Sequence, residues 1–423
     1  MKMRIGYICR RKSFLKCYGP VIYEGLKDVG FEQVLLIQRD EAYKDGAYTA
    51  ETFLENEAGC LGELEREYMV DENSLLFAIR KYGLRAVVSL TPDLPDDIYR
   101  IMPETGKWGV VWCSCPNYVD DVSVILNRLS PFHLKCWDMI GVQNAIFKKY
   151  LEPRLVAKGA GEALRRIMPV GEPCLDQIGQ FSFERQEIRR RFGLPESARI
   201  VLFGSFDRAY TDNPWVSKSD HNAFRERPFS RAMRLMGSAP GVRPYSEHFD
   251  LVRSFADRHG ALILTKSRFK HGDPEFIANG SDMVVSDRSY YPFTAFEALS
   301  IADLVVTAPS LLVLDALALG KPSIVLRPVH NSARHSMSGL YDEFLYDDGG
   351  LFNLKGVTET FSTCTEEGWD RFDSWSKEGG FTRPVLGERD AFMKRYGIEP
   401  GASARFFHSI AEMICKKETT AHM

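Results

Sequence analysis

Three places in the sequence put groups that can hold or move charge at the end of an apolar run. The first is Leu262-Ile-Leu-Thr-Lys266-Ser267-Arg268-Phe269-Lys270-His271, where three cations and a histidine follow a stretch suited to a buried strand. Cations clustered at a strand end neutralise phosphate oxygens, so this run points to a donor that carries a phosphate or diphosphate. The second is Asp303-Leu-Val-Val-Thr307-Ala-Pro309-Ser310-Leu-Leu-Val-Leu-Asp315-Ala-Leu-Ala-Leu-Gly320-Lys321-Pro322. It reads as a strand, a turn in which Ser310 caps a helix from Leu311 to Leu319, and a glycine stop with proline beyond. The first amides of that helix, at Leu311, Leu312 and Val313, would face the carboxyl end of the sheet and favour an anion. The third is Val201-Leu-Phe203-Gly204-Ser205, where Gly204 lets backbone come close to a ligand beside Ser205.

If a bound phosphate belongs to a group donor, that chemistry also needs a base for the acceptor hydroxyl and cations for the leaving phosphate. His271 and Asp287 are the candidates for the base, each at the end of a strand. Arg327-Pro-Val-His330-Asn-Ser-Ala-Arg334-His335 follows a further strand and adds charge at the same edge. In the first half, Cys9-Arg10-Arg11-Lys12-Ser13 follows the opening strand and would meet the donor or a phosphorylated acceptor. Cys113-Ser-Cys115 lacks further ligands at zinc spacing, so no metal is expected, and nothing in the sequence asks for a cofactor.

The elements that must position these groups alternate. Arg4 to Ile8 and Val34 to Ile37 are unbroken apolar strands around a helix at Val21 to Val29; Glu63 to Tyr82 reads as a helix, and strands follow at Ala86 to Leu90, Gly109 to Trp112 and Met139 to Val142. Apolar strands without in-out alternation belong to a parallel sheet covered on both faces. A second series starts after Pro195, with strands at Ile200 to Phe203, Ala261 to Leu264, Asp282 to Ser286, Leu304 to Val306 and, last, Ser323 to Leu326. Helices are expected at His248 to His259 and Pro292 to Ser300. The expected fold is therefore α/β, with two doubly wound Rossmann-like domains facing a cleft. The boundaries drawn are 1–172 for the first domain, 173–355 for the second and 356–423 for a helical tail. Residues 209–245 read as a long excursion.

Val170-Gly-Glu-Pro173-Cys-Leu-Asp176, Arg190-Arg-Phe-Gly-Leu-Pro195, the Lys266 strand, the Asp303 to Pro322 unit and Ser338-Gly-Leu-Tyr341-Asp342 together resemble the CDP-glycerol glycerophosphotransferases of teichoic-acid synthesis over roughly residues 105–350. The resemblance implies a GT-B-like arrangement with donor contacts in the second half, including a turn at Gly204 and Ser205, and acceptor contacts in the first half near Arg10, Arg11, Trp112, Cys113 and Ser114. Where that family has Trp-His-Gly, this chain has Trp112-Cys113-Ser114; where it has Lys-x-His-Pro, this chain has Lys266-Ser267-Arg268-Phe269. Lys266, Arg268 and the Ser310 turn remain to bind donor phosphates. The implied activity is transfer of a glycosyl or polyol-phosphate group from a CDP- or UDP-linked donor to a polymer or glycan precursor of the cell envelope. The Gly320-Lys-Pro322 turn and Arg327-Pro328 also resemble sugar-nucleotide 2-epimerases, and a non-catalytic nucleotide-binding protein on the same fold is the third reading.

The composition fits such a protein. The 423 residues carry 57 acidic and 54 basic side chains, a net charge of −3, which excludes a surface built around nucleic-acid phosphates. Nine scattered cysteines and an opening without a long apolar core suggest a cytoplasmic protein, with room for peripheral contact at the inner face of the membrane. The apolar stretch from Ala302 to Leu319 is interrupted by Asp303, Pro309 and Asp315, so no membrane span is expected.

Overall fold

The computed structural model describes residues 2–38, 61, 64–117, 120–205, 243, 245–267, 273–287, 289–327, 342–381 and 384–421. Two compact units emerge: residues 1–182, 289–293 and 393–423 in one, residues 183–288 and 294–392 in the other. The stretch beyond 356 is thus shared, the second unit taking helix Glu366–Glu378 and the first taking helix Ala402–Ala421. Among the described residues no helix is long and apolar enough to cross a membrane.

The first unit is built on a seven-stranded sheet, β1 (Met3–Cys9), β2 (Phe31–Gln38), β3 (Glu65–Met69), β4 (Leu84–Ser89), β5 (Val111–Ser114), β6 (Met139–Val142) and β7 (Ile167–Pro169), ordered β3-β2-β1-β4-β5-β6-β7. All pairs are parallel. The central β1 buries Ile5, Tyr7, Ile8 and Cys9 completely, both faces being covered, which is why its sequence does not alternate. Each such aliphatic side chain contributes about 1.5–3 kcal/mol by leaving water.

Two readings change here. The first helix spans Leu15–Leu26 and runs through Pro20 rather than starting after it. Pro20 has no amide to give the carbonyl four residues back, that of Lys16, and the Gln177 side-chain amide donates to that carbonyl at 2.7 Å. The expected Glu63 to Tyr82 helix is instead β3 followed by helix Glu72–Tyr82, capped by Asp71, whose side chain accepts from the Ser74 amide. β3 is an edge strand with charged, exposed side chains, so the hydrophobic period that marks strands is missing. β7 also escaped the reading, being only three residues long.

The second unit holds a six-stranded parallel sheet, β8 (Arg199–Gly204), β9 (Ala261–Lys266), β10 (Met283–Val285), β11 (Leu304–Thr307), β12 (Ser323–Leu326) and β13 (Thr358–Phe361), ordered β10-β9-β8-β11-β12-β13. Val201, Phe203, Phe249, Val252, Ile263 and Val306 share its core. β13 lies past the strand expected to be last and forms the edge.

Both sheets fasten strand starts in the same way. Asp138, Asp282 and Asp303 each precede a strand by one residue, and each amide donates to a carbonyl of the neighbouring strand, at Trp112, Ile263 and Ile200. Each carboxylate then accepts the amide of that same neighbour, at 2.8, 2.7 and 2.9 Å. A cation closes each set: Lys417, Arg253 and Arg185. Asp303 is therefore a staple at the amino end of β11, opposite the end where a ligand would sit.

Candidate functional site

In an open α/β sheet, ligands bind outside the carboxyl ends of the strands, where the strand order reverses. In the second unit β8 comes first in sequence, β9 and β10 lie on one side of it, and β11 to β13 on the other, so the reversal falls between β8 and β11. Gly204, the last residue of β8, pairs with Lys266 at the end of β9 and Thr307 at the end of β11. These three form a row across the carboxyl edge.

Lys266 is almost fully buried, and its Nζ lies 2.8 Å from Oδ1 of Asp287 and donates to the Ser267 carbonyl at 2.9 Å. The contact is an ion pair, and Asp287 Oδ1 has no hydrogen-bond partner beside it. The lysine expected to face phosphate and the carboxylate expected to act as base are thus each other's partner. Ser205 and Ser267 continue the edge, their amides donating to the carbonyls of Lys266 and Val285.

A Cβ at Gly204 would stand 2.6 Å from Thr307 Oγ1 and 3.0 Å from Leu312 Cδ2, so the glycine makes room for its own neighbours. The Ser310 turn is corrected. The helix is Leu312–Ala318 with Leu311 in the N-cap position and no side-chain cap there. Leu312 donates to Ser310 Oγ at 3.3 Å and Val313 to the Ser310 carbonyl at 3.1 Å, so two of the three amides expected to be free are engaged within the turn. His271, Arg268, Lys270, His330, Arg334 and His335 lie outside the described residues.

The first-unit candidates separate. Trp112 and Cys113 are strand residues inside the core, not a ligand-lining loop. Trp112 donates its indole N–H to Thr105 at 2.9 Å and packs edge-on against Trp137. Burial pushes the Cys113 thiol well above its usual range, reinforced by the Asp138 carboxylate, so it is neither nucleophile nor base at neutral pH. Ser114, at the end of β5, is fully buried and its hydroxyl has no hydrogen-bond partner. Arg10 follows β1, the strand at the reversal of the first sheet, and donates to the Asp93 carbonyl at 3.4 Å while its buried Nε has no hydrogen-bond partner. Arg11 is half-buried. Among the described residues no cluster of histidine, cysteine or carboxylate side chains could hold a metal ion.

Sequence reasoning missed Thr307 as the neighbour of Gly204 and the pairing of Lys266 with Asp287. The signal for both was parallel register, which cannot be read until the strand order is known.

The sequence matches no family model and no curated protein. Solved structures do match. The wall teichoic acid polymerase TagF is 12% identical, with 98% of this chain and 89% of that chain covered and a TM-score of 0.53. The UDP-GlcNAc 2-epimerase from Neisseria meningitidis, bound to UDP-GlcNAc, is 10% identical, with 98% and 100% covered and a TM-score of 0.55. That of Methanocaldococcus jannaschii is 12% identical, with 94% and 100% covered and a TM-score of 0.50. At this identity the likeness shows the fold: α/β, two parallel sheets, of the GT-B type.

Proposed function

We propose that the chain is a transferase that moves a glycosyl or polyol-phosphate group from a nucleotide-activated donor, CDP- or UDP-linked, to a hydroxyl of a cell-envelope polymer or glycan precursor. The observation that carries this reading is the buried Lys266–Asp287 pair on the strand-end row of the second sheet. A buried lysine beside the point of strand reversal is suited to a donor phosphate, in a setting where charge is poorly screened.

The pair also supplies a sequence of events. Donor phosphate draws the Lys266 ammonium away from Asp287, and the carboxylate, released from its counter-ion, is free to accept a proton. The acceptor oxygen forms its new bond to the transferred carbon or phosphorus, the bond from that atom to the leaving nucleotide oxygen breaks, and the acceptor proton passes to Asp287. Lys266 stabilises the charge left on the nucleotide.

Epimerisation of a nucleotide sugar is the second reading, favoured by the likeness to the UDP-GlcNAc 2-epimerases. It needs proton removal and return at carbon, and Asp287 alone among the described strand-end carboxylates of this row is at hand. Incubation with CDP-glycerol or UDP-GlcNAc separates the two. Release of free nucleotide that depends on added glycan or polyol acceptor supports transfer. An altered sugar on an intact nucleotide supports epimerisation and defeats transfer, and binding without turnover supports the non-catalytic reading.

A further inference from the structure

The second unit contains a cavity of about 690 Å³ that the strand-end row does not use. It lies against the end of β12 and along the edge strand β13, on the far side of β11 from β8. Its size is within the range of about 300–1,000 Å³ usual for small-molecule sites.

The walls are built before any ligand arrives. The turn between Asp347 and Asn353 is closed by the Gly350 amide on the Asp347 carbonyl at 2.8 Å and the Gly349 amide on the Asn353 carbonyl at 3.1 Å. Asn353 holds Asp348 at 3.0 Å, and Thr360 donates to the Phe352 carbonyl. Tyr346 is fixed edge-on to Phe352, ring centroids 5.4 Å apart, and carries the Arg327 guanidinium 4.6 Å from its ring centre. The lining therefore includes a flat aromatic and guanidinium stack with polar groups around it.

The charges decide what would be held. Arg327, Lys355 and Arg371 line the cavity, and so do Asp348, Glu359 and Glu388, three of each sign. That balance gives no net field to select an anion. A ligand that meets donors and acceptors together and lays an apolar face on an aromatic ring is one with many hydroxyls and no charge.

We infer that this cavity binds a segment of uncharged oligosaccharide chain, with a sugar ring against the Tyr346–Arg327 stack. The inference does not depend on nucleotide binding or turnover at the strand-end row.

Saturation-transfer NMR on the full chain with chitotetraose and maltotetraose tests it. The expected result is transfer to the sugar ring protons of at least one of them, unchanged by added CDP. Affinity falls about tenfold in Tyr346→Ala and about threefold in Arg327→Gln, which removes the guanidinium from the stack and decides the matter should the tyrosine variant not fold. No transfer from wild-type protein to either sugar overturns the inference, as does binding that inorganic phosphate displaces or that Arg327→Gln leaves unchanged.

Discussion

Lys266 and Asp287 carry the account at the scale of single residues, because each is the other's counter-charge, the lysine side chain 9% and the aspartate 16% exposed. Removing one partner of such a pair costs about 3–5 kcal/mol, whereas removing both charges at similar shape costs much less. Lys266→Met is therefore expected to be strongly destabilised in urea titration, and Lys266→Met with Asp287→Asn largely restored; equal losses in single and double variants would refute the pairing. Cys113 makes a second prediction. With its thiol buried and pushed up, it should stay unmodified by iodoacetamide in the native protein while exposed Cys415 reacts, read by mass spectrometry. Prompt labelling of Cys113 would contradict the buried assignment. The Trp112-Cys113-Ser114 triplet was legible as a departure from a known pattern, but its residue types could not tell that the first two face the core.

At the scale of elements, the amino ends of the strands are where charge is spent on structure. Lys321, two residues before β12, donates to the carbonyls of Ser300 and Ala302 at 2.7 and 3.0 Å. Burial, with the positive charge of Arg185, brings it down from 10.5 to about 8. Between those two values the unfolded chain holds a proton that the native protein has released, so stability rises with pH through this window, and the cost of the buried charge is complete below about pH 8. Wild type should gain about 1–3 kcal/mol on Lys321→Met between pH 8 and 10.5, measured by urea denaturation at each pH. A difference that stays flat would show that the lysine is solvated. The elements themselves were legible wherever strands are apolar on both faces, as in β1, β8 and β11. The reading failed at β3 and β13, edge strands with exposed residues, and at Pro20, where a distant glutamine supplies what the helix lacks.

For the molecule as a whole, the two parallel sheets were foreseeable from alternating apolar runs and helical periods, and strand order was not. Order is what makes Gly204, Lys266 and Thr307 neighbours, and it is also what makes Asp303 a staple to β8. The site was thus half legible: Lys266 and Asp287 were both visible in sequence, their pairing was not. The central claim is that the carboxyl edge of the second sheet holds a nucleotide-linked donor through Lys266. Isothermal titration calorimetry with CDP and UDP, on wild type and on the Lys266→Met, Asp287→Asn double variant shown to be folded, tests it most directly. The account predicts one-to-one binding of at least one nucleotide to wild type and a loss of about tenfold or more in the double variant. Binding of neither nucleotide, or equal affinity in both proteins, would contradict it.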